Sequence, residues 1–349
     1  MSTLYVTEPG ARIEKEYQRV LVTKDDEILA RVPLGRVSHV VLVGNVGATT
    51  PALHALLDRS VTLSLVRTGG ELRGRLVPAS GLNWPLRQAQ YRSETDPALC
   101  TAFARAIVRG KLRNSRTMMQ RLLRRRDDLP AHVLPRVEQA LVKAAQVETL
   151  DALRGVEGSG ARAYFGLLRA ALRPELSFEK RARRPPPDPA NALLSLGYSL
   201  LTEALMTALE VVGLDPYVGF FHADKYGRPA LALDLVEEFR PPIVDSLVLM
   251  LVNKRMIGVA DFEEGNGGKE GKEGKQENGG DDGRAGGVFL NRNGRRVFFR
   301  AFADRLESET TLPLAGRRLS YRKIFEVQAR QAAKFISRET DLYRPFYWR

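Results

Sequence analysis

The chain has 349 residues, of which 44% are hydrophobic, and it carries a single cysteine and a net charge of +13. This length is enough for two domains with separate cores. The lone Cys100 excludes an internal disulfide and a multi-cysteine zinc site, and it fits the reducing cytoplasm in which we expect the protein to act. The apolar run at residues 243–252 is too short to span a bilayer, so we expect no membrane segment. The strongly basic balance favours polyanionic partners.

The first eighty residues show strand patterns and turn signals. The residues KDDE and GG separate two pairs of apolar runs, which predicts two hairpins. Thr50 and Pro51 predict the start of one short helix. We predict strands at residues 19–23, 28–32, 37–43, 61–66 and 72–77, and a helix at 52–57.

A helical period replaces this pattern after Pro85. We predict helices over residues 86–126, 132–154, 159–172, 188–212 and 321–340. The predicted class is therefore α+β, with a β-rich domain at 1–80, a linker at 81–96 and a helical catalytic domain at 97–349. Residues 265–287 contain ten glycines, a composition that predicts a flexible insertion.

Residues 97–126 contain nine basic side chains and no acidic one. A solvated helix face is the ordinary interpretation, and binding to a membrane surface is another. These cations have no acidic partner at i,i+4 within the stretch, so they repel one another unless phosphates lie nearby. We therefore predict DNA contacts here, including Arg121 and Arg124.

Three other segments concentrate candidate catalytic side chains. Glu157 lies among glycines where we predict one helix to end and the next to begin, and for this segment taken alone a capping role is the favoured interpretation. His222 ends an apolar loop, where a structural histidine is the alternative. If residues 231–239 are helical, Asp234 and Glu237 share one face at i,i+3, whereas Glu238 points to Arg240 or to solvent.

Two carboxylates and one imidazole form a mixed oxygen and nitrogen site suited to Mg²⁺ or Mn²⁺. In a basic protein, such a site indicates phosphodiester chemistry. No GxxxxGK[ST] loop occurs, so nucleotide hydrolysis is not expected.

Several of these motifs resemble the CRISPR-associated spacer-acquisition endonuclease/integrase family, the first numbered family of Cas proteins. The matching segments are EGSGARAYF (157–165), RRPPPDPANALLSLGYSLL (183–201), GLDPYVGFFHADKYGRPALALDLVEEFRPPIVD (213–245) and YRKIFEVQARQAAKFI (321–336).

The resemblance implies that Glu157, His222 and Glu237 bind a catalytic Mg²⁺ or Mn²⁺ and that Asp234 supports them. It also places Arg162, Tyr164, Asn191 and Tyr198 near the site or the DNA.

The implied activity is the insertion of spacer DNA into a CRISPR array by transesterification. The implied partners are double-stranded and branched DNA, a second copy joined through the β domains, and a second small CRISPR adaptation protein. Two alternatives stay open: a stand-alone nuclease acting on branched or single-stranded DNA in repair or recombination, and a non-catalytic basic scaffold for DNA.

Overall fold

A computed structural model describes residues 2–79, 83–176, 178–182, 185–222, 227–265, 286–313 and 316–348. Strands dominate up to residue 79 and helices dominate beyond it, so the predicted α+β class is confirmed. Residues 266–285 of the predicted flexible insertion lie outside the described residues, and its flexibility stays a prediction.

Residues 2–79 form two four-stranded sheets and one helix. In the first sheet β1, β5 and β7 are parallel and β8 is antiparallel to β7; in the second, β4, β3 and β2 are antiparallel and β6 is parallel to β2. Both predicted hairpins are confirmed, as β3–β4 and β7–β8. The elements are β1 (Ser2–Val6), β2 (Arg12–Glu16), β3 (Arg19–Lys24), β4 (Glu27–Pro33), β5 (Val37–Val43), β6 (Gly47–Ala48), α1 (Thr50–Leu57), β7 (Thr62–Val66) and β8 (Leu72–Leu76).

The first sheet is buried on both faces. Val40 and Leu42 of β5 pack with α1 and the second sheet, whereas Val41 and Val43 join the core of the helical part. This explains why β5 reads as a nearly continuous apolar run without alternation.

Buried polar contacts fasten this sheet to the helix α6 (Pro189–Val212). The Ser64 hydroxyl donates to Glu203 over 2.5 Å, and His39 Nε2 lies 3.0 Å from the same carboxylate. His39 therefore has a structural role at this contact. Arg75 of β8 pairs with Glu210 at 2.5 Å.

The remaining described residues are mainly helical. Their elements are α2 (Trp84–Glu94), α3 (Pro97–Leu123), α4 (Leu134–Gln146), α5 (Leu150–Ala171), α6, α7 (Ala230–Phe239), α8 (Ser246–Asn253), β9 (Phe262–Gly265), β10 (Gly287–Leu290), α9 (Arg292–Glu307), β11 (Glu309–Leu312), β12 (Arg317–Ser320) and α10 (Tyr321–Ile336). The predicted linker at 81–96 contains α2, whose buried Gln90 donates to the carbonyls of Asp215 and Val218, each over 2.7 Å. The linker segment thus anchors the loop that leads to His222.

The predicted helix break at Gly155 is wrong. The chain breaks earlier, after α4, and the Thr149 hydroxyl caps a new helix by accepting from the Ala152 amide over 3.3 Å. The helix α5 then runs through its glycines, so Glu157 lies in mid-helix and not at a junction. Helical glycines cost free energy, and the packing of α5 described below offsets that cost.

Two consecutive prolines, Pro241 and Pro242, lie between α7 and α8. Residues Arg240–Asp245 form a wide π-helical turn that joins α7 to α8. Proline has no amide hydrogen to donate within the regular ladder, and a wider turn accommodates that loss.

By length and composition alone, the helix α6 could cross a membrane. The shorter apolar run at residues 243–252 could not. However, 72% of the most apolar window of α6 is buried inside the protein. This burial is the property of a core helix.

Candidate metal centre and active site

A close helix contact places the first candidate ligand. A Cβ added at Gly160 of α5 would lie 2.4 Å from Leu112 of α3 and 3.2 Å from Ala140 of α4, so only glycine permits this approach. One turn earlier on α5, Glu157 contacts the ammonium group of Lys111, which projects from α3. The glycine therefore brings the two charged side chains into contact.

The Asp234 carboxylate organises the loop that carries His222. It accepts hydrogen bonds from the backbone amides of Phe220 (2.8 Å), Phe221 (3.1 Å) and His222 (3.0 Å), and it is fully buried. A Cβ at Gly219 would lie 2.5 Å from the backbone of Ala230, so this glycine lets the loop reach the first turn of α7. Residues 231–239 are helical, as predicted, within α7. The supporting role of Asp234 toward a metal ion stays a prediction.

The same carboxylate orients the imidazole. His222 Nδ1 lies 2.8 Å from Asp234 Oδ1. A carboxylate can only accept, so Nδ1 carries a proton, and in the neutral imidazole the lone pair therefore lies on Nε2. Nε2 lies 3.8 Å from Glu237 Oε1, one turn along α7 from Asp234. The arrangement presents an imidazole nitrogen to the Glu237 carboxylate.

Glu237 is buried among cations. Its Oε1 lies 3.1 Å from Arg240 and its Oε2 lies 2.6 Å from Lys111. Burial raises its pKa, but Arg240, Lys111 and His222 more than offset this, and the pKa of Glu237 falls to about 2. Burial opposes the charge on Lys111 as well, yet Glu237 and Glu157 hold its pKa above the usual value. Both charges persist at neutral pH.

The three predicted ligands therefore face one small space. Glu157 and Glu237 both contact the nitrogen of Lys111, so the point between them already accepts a cation. The side chains of Glu157 and His222 are 23% and 30% exposed, which opens this space to solvent on one side. The donor set of two carboxylates and one imidazole fits Mg²⁺ or Mn²⁺.

Across the described ranges, no three Asp, Glu, His or Cys side chains yet stand at the spacing of a complete metal site. The Lys111 ammonium lies between two of the candidates, Glu157 and Glu237.

A buried network of Tyr164, Tyr198, Asp245 and Arg240 positions Glu237. The hydroxyls of Tyr164 and Tyr198 donate to Asp245 over 2.7 and 2.5 Å. The Arg240 guanidinium stacks 4.6 Å from the ring centre of Tyr198 and so reaches Glu237 with a fixed geometry. Burial raises the pKa of Asp245 to about 6, against the lowering effect of both hydroxyls.

Glu238 bonds neither Arg240 nor solvent, contrary to the prediction. It is fully buried and accepts hydrogen bonds from the Tyr343 hydroxyl (2.7 Å) and the Phe346 amide (2.5 Å). Burial raises the pKa of its carboxyl to about 8. Asn114 of α3 also donates to the Phe346 carbonyl, over 2.9 Å. The C-terminal segment thus clamps α3 to α7.

The structure separates the predicted DNA-contacting residues. Arg162 and Arg124 are exposed, and Arg121 stacks on Trp348 at 3.8 Å. Tyr164 and Asn191 are buried, and Asn191 accepts from Arg181 over 2.8 Å. Buried side chains can influence DNA only through their neighbours, so a direct contact from Tyr164 or Asn191 has no support.

Several basic side chains of α3 have partners within the protein and do not all face solvent. Besides Lys111, Arg105 donates to the Val147 carbonyl over 2.8 Å, and Arg113 stacks on Tyr347 at 4.2 Å. Sequence reasoning missed the role of Lys111. Its spacing from Ile107 and Asn114, both buried, places it on the inner face of α3 and was the available signal.

Comparisons with known proteins identify the family of this chain. The model of the family "CRISPR associated protein Cas1" matches residues 4–304. A CRISPR-associated endonuclease Cas1 of Thermus thermophilus is 35% identical over 99% of this chain and 97% of its own length. A Cas4 exonuclease/Cas1 endonuclease fusion of Rhodospirillum rubrum is 39% identical over 99% of this chain, and the chain spans 57% of the length of that fusion.

Solved structures share the fold. A casposase bound to an integration product has a TM-score of 0.83 at 22% identity, covering 100% of this chain and 95% of its own. A Cas6-RT-Cas1–Cas2 complex has a TM-score of 0.81 at 23% identity, covering 99% of this chain and 36% of its own. With a family model that matches most of its length and a full-length relative at 35% identity, the chain belongs to the Cas1 family of CRISPR-associated proteins.

Proposed function

We propose that the chain is a metal-dependent DNA endonuclease/integrase that inserts new spacer DNA into a CRISPR array. One observation carries the proposal: Glu157 and Glu237 contact the same cationic nitrogen, and Nε2 of His222 faces Glu237 at 3.8 Å. This arrangement supports a site for one divalent ion at the surface of a basic protein.

Glu157, His222 and Glu237 would hold Mg²⁺ or Mn²⁺. When bound, such an ion polarises a phosphate and stabilises the charge that develops in transesterification. Asp234 keeps the proton of His222 on Nδ1, so that Nε2 stays available as a ligand. Arg240 fixes Oε1 of Glu237, and Oε2, which contacts Lys111 here, would be the oxygen that holds the ion.

The proposed substrates are double-stranded and branched DNA, with the 3′-hydroxyl of the incoming duplex attacking a repeat phosphate. The proposed assembly is a homodimer formed through residues 1–80 that joins a second small CRISPR adaptation protein in the cytoplasm. Residues 97–349 would supply catalysis. The Cas1–Cas2 complex among the structures of the same fold supports this assembly.

A stand-alone nuclease for repair or recombination would use the same ion and is the second candidate. The two differ in their products, because an integrase joins a donor 3′ end to the target whereas a nuclease only cleaves.

The test is an integration assay with a supercoiled plasmid that carries a repeat array, a short duplex with 3′-hydroxyl ends and the small partner protein. We expect joined products in Mn²⁺ that disappear in Glu157→Gln and His222→Ala. Glu148→Gln, at an exposed carboxylate just before α5, is the matched control and should integrate normally. Cleavage without joining would favour the stand-alone nuclease.

A scaffold without catalysis predicts a different result. Under that hypothesis Glu157→Gln and His222→Ala would behave like the unaltered protein in Mn²⁺ while binding DNA equally well.

A further inference from the structure

Lys111 holds the position where a divalent ion would meet its carboxylates. Its nitrogen contacts Glu157 and lies 2.6 Å from Glu237 Oε2, and its side chain is 9% exposed. No acidic residue occurs in α3. The charge of this lysine is thus compensated by two carboxylates from α5 and α7, which are also the carboxylates that the proposed function assigns to the ion.

Two carboxylates that share a small, partly buried space repel each other unless a cation lies between them. The Lys111 ammonium supplies that cation. A divalent ion such as Mg²⁺ would draw on the same oxygen lone pairs, at about 2.0–2.1 Å. Ammonium and ion therefore cannot occupy the point between Glu157 and Glu237 together.

We propose that Lys111 is a built-in counter-cation that competes with the divalent ion for Glu157 and Glu237. It keeps the two carboxylates together before the ion binds, and it moves aside as the ion enters. This inference rests on the metal site of the proposed function and adds an occupant that opposes metal binding.

The surroundings allow Lys111 to move while the rest of the site stays. Its four-carbon side chain is flexible. The side chain of Glu157 is 23% exposed, so the space beside its carboxylate opens to solvent. Arg240 is held by the ring of Tyr198 and keeps its contact with Oε1 of Glu237. Only the lysine has to leave.

The experiment measures Mn²⁺ affinity by isothermal calorimetry and melting temperature in chelator. Lys111→Met keeps the length and volume of the side chain and removes its charge. We expect it to bind Mn²⁺ at least about tenfold more tightly than the unaltered protein, since no ammonium has to be displaced. In chelator its melting temperature should fall, and Mn²⁺ should restore it.

Lys143→Met is the matched control, because Lys143 is exposed on α4. It should leave both Mn²⁺ affinity and melting temperature unchanged. Lys111→Gln provides a second variant should the methionine variant not fold, since its amide can still donate to one carboxylate. The same gain in affinity is expected.

An unchanged or weaker Mn²⁺ affinity in a folded Lys111 variant would overturn the inference and leave the metal site standing. Glu157→Gln separates the two claims. If it binds Mn²⁺ as well as the unaltered protein does, the proposed metal site fails and the competition fails with it.

Discussion

The Asp234 carboxylate offers the most direct test of the site, because one substitution alters the hydrogen bond that orients His222. It is fully buried and accepts from three backbone amides and from His222 Nδ1. Asp234→Asn preserves its shape but replaces one accepting oxygen by a donating NH₂ group. The two oxygens have different partners, so the consequence of the replacement can be worked out bond by bond.

The remaining oxygen can stay with the amides of Phe220 and Phe221. The new NH₂ group then faces the amide and Nδ1 of His222, 3.0 and 2.8 Å from the original oxygen. Each of these two hydrogen bonds becomes a donor–donor contact, and the loss of one charge-assisted hydrogen bond costs about 1.5–3 kcal/mol. The backbone amide cannot change. The imidazole can relieve the contact at Nδ1 only by accepting there and moving its proton to Nε2.

That shift removes the lone pair that Nε2 would offer to a metal ion. Loss of a group that orients a ligand typically reduces metal affinity by about 10–100-fold, equivalent to about 1.4–2.8 kcal/mol. Calorimetry with Mn²⁺ and DNA cleavage assays should both show the loss.

Asp261→Asn is the control. Asp261 also accepts from a backbone amide, that of Gly258 at 3.0 Å, and it lies outside the site. If Asp234→Asn keeps Mn²⁺ affinity and cleavage within threefold of the unaltered protein, Asp234 does not set the tautomer and the proposed role of His222 is refuted.

Three further outcomes are expected. Gly160→Ala should lower the free energy of unfolding by about 1–3 kcal/mol, because its Cβ would lie 2.4 Å from a buried side chain. Gly155→Ala on the same helix meets nothing within 4 Å, so it should raise the free energy of unfolding by up to about 1 kcal/mol in denaturant melts. The folded-state pKa of Asp245 is raised from 3.8 to about 6, so its stabilising contribution is fully present below pH 3.8 and is lost as the pH rises through 6. In chemical denaturation, the stability of the unaltered protein relative to Asp245→Asn should fall by about 2–3 kcal/mol between pH 4 and 7, and parallel curves would contradict the assigned shift. Changing Arg121 and Arg124 to Glu should weaken DNA binding at every sequence and reduce the slope of log affinity against log salt by up to about 2; an unchanged slope would mean that these residues do not contact phosphates.

Much of the site could be predicted because its acids and its histidine stand in unusual surroundings. Asp234 and Glu237 share a helix face through their spacing alone, and the strands of the first eighty residues follow from alternation and turn residues. These signals are local, and a single sequence displays them directly.

The rest depended on contacts between distant segments. Gly155 predicted a helix end because isolated glycines weaken helices, but Gly160 packs against α3 and this tertiary contact overrides the local preference. Lys111 was counted among surface cations because its partners lie 46 or more residues away along the chain. Nothing near Glu238 in the sequence shows that the C-terminal segment covers it, and the prediction that it points to Arg240 or to solvent is wrong for this reason.

Different contacts position Glu157 and His222, and this decides whether the effects of two substitutions on metal affinity add. Gly160 sets Glu157 against α3, and Asp234 orients His222 through a loop on the other side of the site. Since these two contacts share no partner residue, the effects of Gly160→Ala and Asp234→Asn on Mn²⁺ affinity should add within about 0.5 kcal/mol. Lys111 and Glu157 touch directly, so Lys111→Met and Glu157→Gln should couple. The affinity gained by removing the lysine should shrink once Glu157 is neutral, because the ammonium and the ion then compete for one carboxylate and not for two.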